Sequence, residues 1–348
     1  MSAAPLSDRL RRQIAETGPI PVSTFVGAAL YDPRDGFYAT GGGAGRRGDF
    51  LTAPEVGPLF GAVIARALDE WWKADGQPAS FAIVEYGAGP GALVRSVLAA
   101  QPVCLTEGAL HWTMVEWSES QRTRHLEHPA VSSVAQLSDD APSAAVVLAN
   151  EFLDNLPFDI VVWADDGWRE LVVDVGEGEQ FVARVGQPVD IDTSVVDARV
   201  GTRLPMQHAA RAWVAEMHLR HRGARVVVFD YCATPAELIV RGERWLRTFR
   251  DHGDARQWLE DPGSCDITTD VDLDQVQADH DAASVRSQAE FLRAHGIDEL
   301  VEAGRATWAS GAHLGDLVAL KGRSRIREAE ALLDAEGMGG FSVLEWRT

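Results

Sequence analysis

The sequence predicts an open α/β fold with a mostly parallel sheet, and three observations carry that prediction. Phe81–Val84, Leu110–Trp117 and Ala144–Ala149 are short apolar runs, partly β-branched, suited to strands buried on both faces. Each ends in polar residues: Glu85 with the glycines to Gly91, Glu116, and Asn150 to Asp154. Helical periodicity resumes after the first of these clusters, over Ala92–Ala100. In open α/β sheets the ligand crevice lies outside the carboxyl ends of the strands, so the three clusters are expected around one crevice.

Phe81–Ala92 reads FAIVEYGAGPGA, a strand followed by an acid and a glycine turn. Gly87, Gly89 and Gly91 let backbone N–H groups and the positive end of the following helix approach a ligand without Cβ obstruction. Gly87-x-Gly89-x-x-Ala92 also satisfies the dinucleotide fingerprint, so the glycines alone leave NAD open. Glu85 argues against NAD. A carboxylate there repels a pyrophosphate, whereas it suits the α-ammonium of S-adenosylmethionine (SAM). Glu116 stands where a carboxylate accepts both ribose hydroxyls, which either cofactor class allows. Taken together, these residues favour SAM.

Further motifs run in order along nearly the whole chain. They are Gly36-Phe37-Tyr38, Gly48-Asp49-Phe50 with Thr52-Ala53-Pro54-Glu55, Phe60-Gly61, Glu85-x-Gly87-x-Gly89-x-Gly91 and Val115-Glu116-x-Ser118. Ala149-Asn150-Glu151-Phe152-x-Asp154-x-Leu156-Pro157 follows, then Phe229-Asp230-Tyr231 and Leu246-Arg247-x-Phe249-Arg250-x-His252. The last are Pro262-Gly263-x-x-Asp266-Ile267-Thr268, Phe291-Leu292 and Met338-Gly339. In these motifs the sequence resembles the MidA-like SAM-dependent methyltransferases, a family that includes the mitochondrial complex I assembly-factor methyltransferase and many bacterial proteins. It departs from the family at Cys232, where glycine is usual, and at Asn155, where a small residue is usual.

The resemblance implies a class I methyltransferase fold, Rossmann-like, whose last strand is antiparallel to the rest. It implies SAM held by Gly48, Asp49, Thr52 and Pro54, by Glu85, Gly87, Gly89 and Gly91, and by Glu116, Asn150 and Glu151. It also implies a protein arginine as methyl acceptor, because the mitochondrial member methylates an arginine of a complex I subunit. A small-molecule O- or N-methyltransferase is the alternative, and a SAM-binding assembly protein with little catalysis the second. Methyl transfer needs alignment, exclusion of water and the management of one proton. Glu151 and Asp154 are the candidate catalytic groups, placed to orient a guanidinium or take its proton. Asn150 is a candidate to accept an acceptor N–H, and Asp49 is an alternative acid. Asp266, Arg247 and His252 are the candidate acceptor-binding residues.

Four segments are expected. Residues 1–78 form a helical N-terminal region, with helices at Leu6–Ala15, Val22–Leu30 (capped by Ser23 or Thr24) and Phe60–Trp72, and Gly41–Gly48 as a lid. Residues 79–234 form the SAM-binding core, interrupted near 158–186 by antiparallel strands at Phe158–Trp163, Trp168–Val173 and Phe181–Val185. Its later elements are a helix over Met206–Arg222 and a strand over Arg225–Tyr231. Residues 235–310 are read as a mostly helical cap over the crevice, with Trp245 and Trp258 as the tryptophans facing the acceptor. Residues 311–348 close the core with a helix over Arg323–Ala335 and a strand over Phe341–Arg347.

Composition narrows the function class. The chain has 348 residues, 46% of them hydrophobic, enough for a full core. A formal charge of −20 lacks the basic footprint of a nucleic-acid binder. No apolar run approaches the roughly 20 residues of a membrane span. Cys104, Cys232 and Cys265 show no metal spacing, and an odd count excludes a complete disulfide framework. His218 and His221 lie one helical turn apart without a third ligand, so no metal is expected. Arg9, Arg11 and Arg12 are interrupted by acids and followed by no apolar stretch, so a cytoplasmic location without a mitochondrial presequence is the default expectation.

Overall fold

The computed structural model describes residues 4–42, 52–165, 167–191, 198–250, 253–254, 257–313 and 316–348. At its centre is a seven-stranded sheet. Its strands are β1 (Phe81–Tyr86), β2 (Leu110–Val115), β3 (Val131–Val134), β4 (Val146–Asn150), β5 (Arg225–Asp230), β6 (Ser284–Ser287) and β7 (Ser342–Arg347). Their spatial order is β3-β2-β1-β4-β5-β7-β6, with β7 antiparallel to both neighbours and the first five strands mutually parallel. This is the class I methyltransferase arrangement that the resemblance implies. Strand order reverses between β1 and β4, which opens the crevice at their carboxyl ends.

Near-continuous apolar strands demand cover on both faces, and helices supply it. One face packs against α3 (Pro58–Ala74) and α4 (Ala92–Ala100), through residues including Phe60, Ile64 and Leu68. The same core takes in the C-terminal part of the chain: α6 (Gln288–Ala294), α7 (Ile297–Gly311) and α8 (Leu317–Leu332). The opposite face is covered by α5 (His208–Arg220) through Trp213, Val214 and Met217. Glycine sets α3 against α4 at close range, since a Cβ at Gly61 would lie 2.3 Å from the Ser96 Cβ.

A second core lies beside this sheet. It joins α1 (Leu6–Thr17) and α2 (Val22–Tyr31) to an antiparallel sheet of Asp159–Ala164, Gly167–Val175, Phe181–Pro188 and Arg203–Met206. Ile20–Pro21 pairs with Val172–Val173 at its edge. Phe25, Leu30, Phe158 and Trp245 are among its fully buried side chains. The expected helical region of residues 1–78 therefore divides: α1 and α2 belong to the second core, whereas α3 belongs to the first. Apolar faces, rather than sequence order, decide the partition. The insertion also runs further than the expected 158–186, because Arg203–Met206 pairs with Asp159–Val162.

Residues 235–310 differ from the mostly helical cap the sequence suggests. Leu246–Arg250 and Asp266–Thr269 form a hairpin-like pair within a small sheet, and β6 adds an edge to the central sheet. These segments are too short and too polar to show a two-residue period, which hid them from sequence reading. The N-cap of α2 is Pro21, not Ser23 or Thr24, and the Ser23 N–H is met by Asp159 Oδ1 at 2.9 Å.

Candidate active site

A cavity of about 230 Å³ opens at the carboxyl ends of β1, β2 and β4. Strand alternation points Glu85 near the end of β1 into this region, where the residue is 5% exposed. Glu85 Oε2 accepts a hydrogen bond from Trp112 Nε1 at 2.8 Å. Burial outweighs that bond, and with the nearby Glu116 charge pushes the Glu85 carboxyl up to about 8.

The glycine turn follows. Gly89 has φ 51°, and a Cβ there would meet nothing within 4 Å, so the position faces open cavity. Gly87 has φ 64°, and its Cβ would strike the Phe152 ring at 2.7 Å. Both positions therefore need glycine, one for its conformation and the other for close packing as well. Glu116, just beyond β2, braces the turn: Oε2 accepts the Gly89 N–H at 2.9 Å and Oε1 the Ser118 N–H at 2.7 Å. Burial raises its pKa, opposed by those two backbone donors.

Asn150 and Glu151 leave the end of β4 on the opposite wall. Asn150 Nδ2 donates to Glu151 Oε1 at 3.1 Å, while Asn150 Oδ1 is buried with no partner among the described residues. Glu151 adopts φ 49°, a strained conformation for a side-chain-bearing residue. Its Oε1 accepts the Ala53 N–H at 3.3 Å and its Oε2 the Tyr231 hydroxyl at 3.3 Å. Burial, reinforced by the charge of Asp154, pushes the Glu151 carboxyl up to about 8.

The cover comes from the N-terminal region. Tyr31 and Tyr38 line the cavity and stack at 5.5 Å. Tyr31 donates to the Asn155 carbonyl at 3.0 Å, and Tyr38 donates to Asp266 Oδ1 at 3.0 Å. Asn155 Nδ2 meets the same Asp266 oxygen at 3.1 Å. Ser118 Oγ donates to the Tyr38 carbonyl at 2.8 Å, and Gln121 Nε2 to the Gly42 carbonyl at 3.2 Å. Thr52, Pro54 and Glu55 complete this side. Of the expected lid, only Gly41 and Gly42 are described, and Gly48 and Asp49 lie outside the described residues.

The other expected residues take up positions away from the cavity lining or outside the described residues. Asp154 does not line the cavity: it is 4% exposed, and its Oδ2 accepts the Thr268 hydroxyl at 2.6 Å. Burial pushes its carboxyl up to about 6. Asp266 and Arg247 also lie behind the wall rather than on it. Asp266, pushed up to about 7 mainly by burial, holds Tyr38 and Asn155, while Arg247 pairs with Asp270 at 2.6 Å. His252 lies outside the described residues. Trp245 and Trp258 line a separate groove near Phe181, and Trp117 is the tryptophan at this cavity. His221 is a core residue, with Nδ1 accepting the Ala144 N–H at 3.0 Å. Tyr31, Trp117 and Gln121 had no sequence signal beyond apolar or ordinary helical pattern, whereas Tyr38 stood within a resemblance motif and Asn155 as a departure from one.

The donor set decides which cofactor chemistry fits. Glu55, Glu85, Glu116 and Glu151 line the cavity, and no Lys, Arg or His does so among the described residues. In its ionised form such a wall repels a pyrophosphate and suits the ammonium and sulfonium of SAM, whose cationic charge favours that ionisation. The unpartnered Asn150 Oδ1 adds a free acceptor on the same wall.

Comparison with known proteins agrees. The family model described as "Putative S-adenosyl-L-methionine-dependent methyltransferase" matches residues 63–290. A Drosophila melanogaster protein named protein arginine methyltransferase NDUFAF7 homolog, mitochondrial, is 29% identical over 78% of this chain and 69% of its own length. The Homo sapiens protein arginine methyltransferase NDUFAF7 is 28% identical over 84% and 74%. A COG1565 superfamily member from Burkholderia thailandensis, solved bound to S-adenosyl-homocysteine, superposes with TM-score 0.83 at 26% identity, covering 99% of this chain and 92% of that one. These relatives also overturn the cytoplasmic expectation, since the similar animal proteins are mitochondrial. Interrupted arginines at the N-terminus do not determine a compartment. Among the described residues no helix is long and apolar enough to cross a membrane. Fold, acidic cavity and family match together make the chain a SAM-dependent methyltransferase belonging to the MidA-like family.

Proposed function

We propose that this enzyme methylates arginine side chains of a partner protein. The observation that carries the acceptor reading is the cavity wall, which offers four glutamates and no cationic residue among the described ones. With Glu85 and Glu116 given to the cofactor in this reading, ionised Glu151 is the counter-charge a cationic acceptor meets, and the animal relatives named above are protein arginine methyltransferases. SAM, when bound, supplies a methyl group activated on a sulfonium sulfur.

In this reading the protein's own residues hold, orient and move a proton. Glu85 receives the methionine ammonium, Glu116 the ribose hydroxyls, and the Gly87–Gly91 turn allows close backbone approach. Thr52 and Pro54 border the same space, with Gly48 and Asp49 preceding them in the chain. Asn150 Oδ1 accepts a guanidinium N–H, and Glu151 orients the guanidinium and takes its proton. A carboxyl pushed up to about 8 is a stronger base than an ordinary glutamate, and it takes the proton in its ionised form, whose share grows as pH rises toward 8. Asp154 acts from behind, because its charge is the second cause of the Glu151 shift. Asp266 and Arg247 support the wall through Tyr38 and Tyr231 respectively.

The test is incubation with tritiated methyl-SAM and a host-cell lysate, with label separated into protein and small-molecule fractions. Protein label that hydrolyses to methylarginine is expected. Label confined to small molecules would replace the proposal with a metabolite methyltransferase, and label on other amino acids would remove arginine.

A further inference from the structure

Asp230 lies outside the cavity and has no place in the chemistry above, yet it is fully buried at the end of β5. We propose that Asp230 is the positioning residue of the catalytic wall. The inference rests on the roles given above to Asn150 and Glu151.

Four consecutive backbone donors after β4 are captured by the end of β5. Glu151 N–H donates to the Phe229 carbonyl at 2.7 Å. The N–H groups of Phe152, Leu153 and Asp154 converge on Asp230 Oδ2 at 3.2, 2.8 and 3.4 Å. The other oxygen, Oδ1, accepts the Tyr231 N–H at 2.9 Å. No ion pair to Asp230 is formed among the described residues, and backbone N–H groups are the hydrogen-bond partners of both its oxygens. Burial and the charges of Asp154 and Glu151 push the Asp230 carboxyl well above the ordinary carboxylate range, and the Leu153 and Tyr231 N–H groups oppose that shift.

The arrangement explains how Glu151 keeps its strained φ of 49°. Such a conformation persists only where its surroundings over-determine it. With the next three N–H groups pinned to one carboxylate oxygen, the chain reverses at Glu151 and turns its carboxyl toward Ala53 and Tyr231. Asn150 is held in turn through Glu151 Oε1. Cofactor contacts assigned to β1 and β2 do not depend on this anchor, so turnover and cofactor affinity respond to it separately.

Asp230→Asn tests this. The amide is nearly isosteric but has one acceptor oxygen, so its NH₂ must face either the 152–154 donors or the Tyr231 N–H. Three quantities are measured: amide hydrogen exchange at residues 152–154, the rate of methyl transfer from tritiated SAM to host-cell protein, and the S-adenosylhomocysteine dissociation constant. Exchange at least tenfold faster, transfer at least tenfold slower and a dissociation constant within threefold of the parent are expected. Asp230→Ala removes both oxygens and should extend the loss of protection and rate in the same order. Parental exchange at 152–154 in Asp230→Asn would overturn the inference. So would a lowered melting temperature accompanied by a parental rate per folded molecule, which would leave Asp230 a purely fold-holding residue. A parent that binds no S-adenosylhomocysteine would instead fail the functional reading, and exchange would still decide the anchor.

Discussion

Replacing Glu116 by alanine tests the cofactor wall and the glycine turn at once. The carboxylate holds Gly89 N–H at 2.9 Å and Ser118 N–H at 2.7 Å, and retains lone pairs toward the cavity. Losing two charge-assisted contacts to ribose hydroxyls costs about 1.5–3 kcal/mol in total. At about 1.4 kcal/mol per tenfold, the S-adenosylhomocysteine dissociation constant should rise by roughly 10- to 100-fold. The sequence alone suggests no penalty in the ligand-free protein. The structure predicts one, because Gly89 and Ser118 lose their acceptor, at about 1–2 kcal/mol with water replacing part of it. A drop in melting temperature of roughly 1–3 °C corresponds to that cost in a chain of 348 residues. Calorimetric titration and ligand-free thermal melting read the two effects. A dissociation constant within threefold of the parent would remove Glu116 from the cofactor site, and an unchanged melting temperature would refute its bracing of the turn.

Gly89→Val puts a branched side chain where φ is 51° and the Cβ faces open cavity, so S-adenosylhomocysteine binding should disappear from calorimetry while the circular dichroism spectrum is kept. Glu85, pushed up to about 8 when folded against an ordinary 4.5, is protonated in the fold before it is in the unfolded chain. The ligand-free protein therefore loses stability from this group as pH rises from about 4.5 to 8, and melting curves of Glu85→Gln should show a weaker decline over that window. The ionised form is the one that receives an ammonium, so parental S-adenosylhomocysteine affinity should rise between pH 6 and 8, by up to about tenfold per unit, and Glu85→Gln should flatten the rise. Asp154→Asn removes a charge that raises the Glu151 pKa, so the acid limb of the methyl-transfer profile should move to lower pH, with S-adenosylhomocysteine affinity within about threefold of the parent. An unmoved limb would separate Asp154 from Glu151.

Much of the central sheet was legible because its strands are apolar on both faces and end in recognisable polar residues. Glu85, Gly89, Glu116 and Asn150 line one cavity because each follows, or ends, a strand whose register places it there. Asp154 shows where that logic stops. Its position after β4 suggested the acceptor side, but a one-turn helix over Leu153–Asn155 rotates it onto Thr268, and four residues of spacing cannot reveal that rotation. Arg247 and Asp266 lie on a short polar pair of strands with no readable period, and their partners Asp270 and Tyr38 are 23 and 228 residues away. Tyr31 lies on the inner face of α2 and is indistinguishable in sequence from a core aromatic. Long-range hydrogen bonds set these side chains, and local pattern carries no record of them.

A crystal structure with S-adenosylhomocysteine bound tests the central claim most directly. The account predicts the ribose on the Glu116 carboxylate, the methionine ammonium at Glu85 and the backbone of Gly89 against the ligand. It also predicts the sulfur directed toward the wall formed by Asn150 and Glu151. Density for the ligand outside this cavity, or with its ammonium away from Glu85 and its ribose away from Glu116, would contradict it.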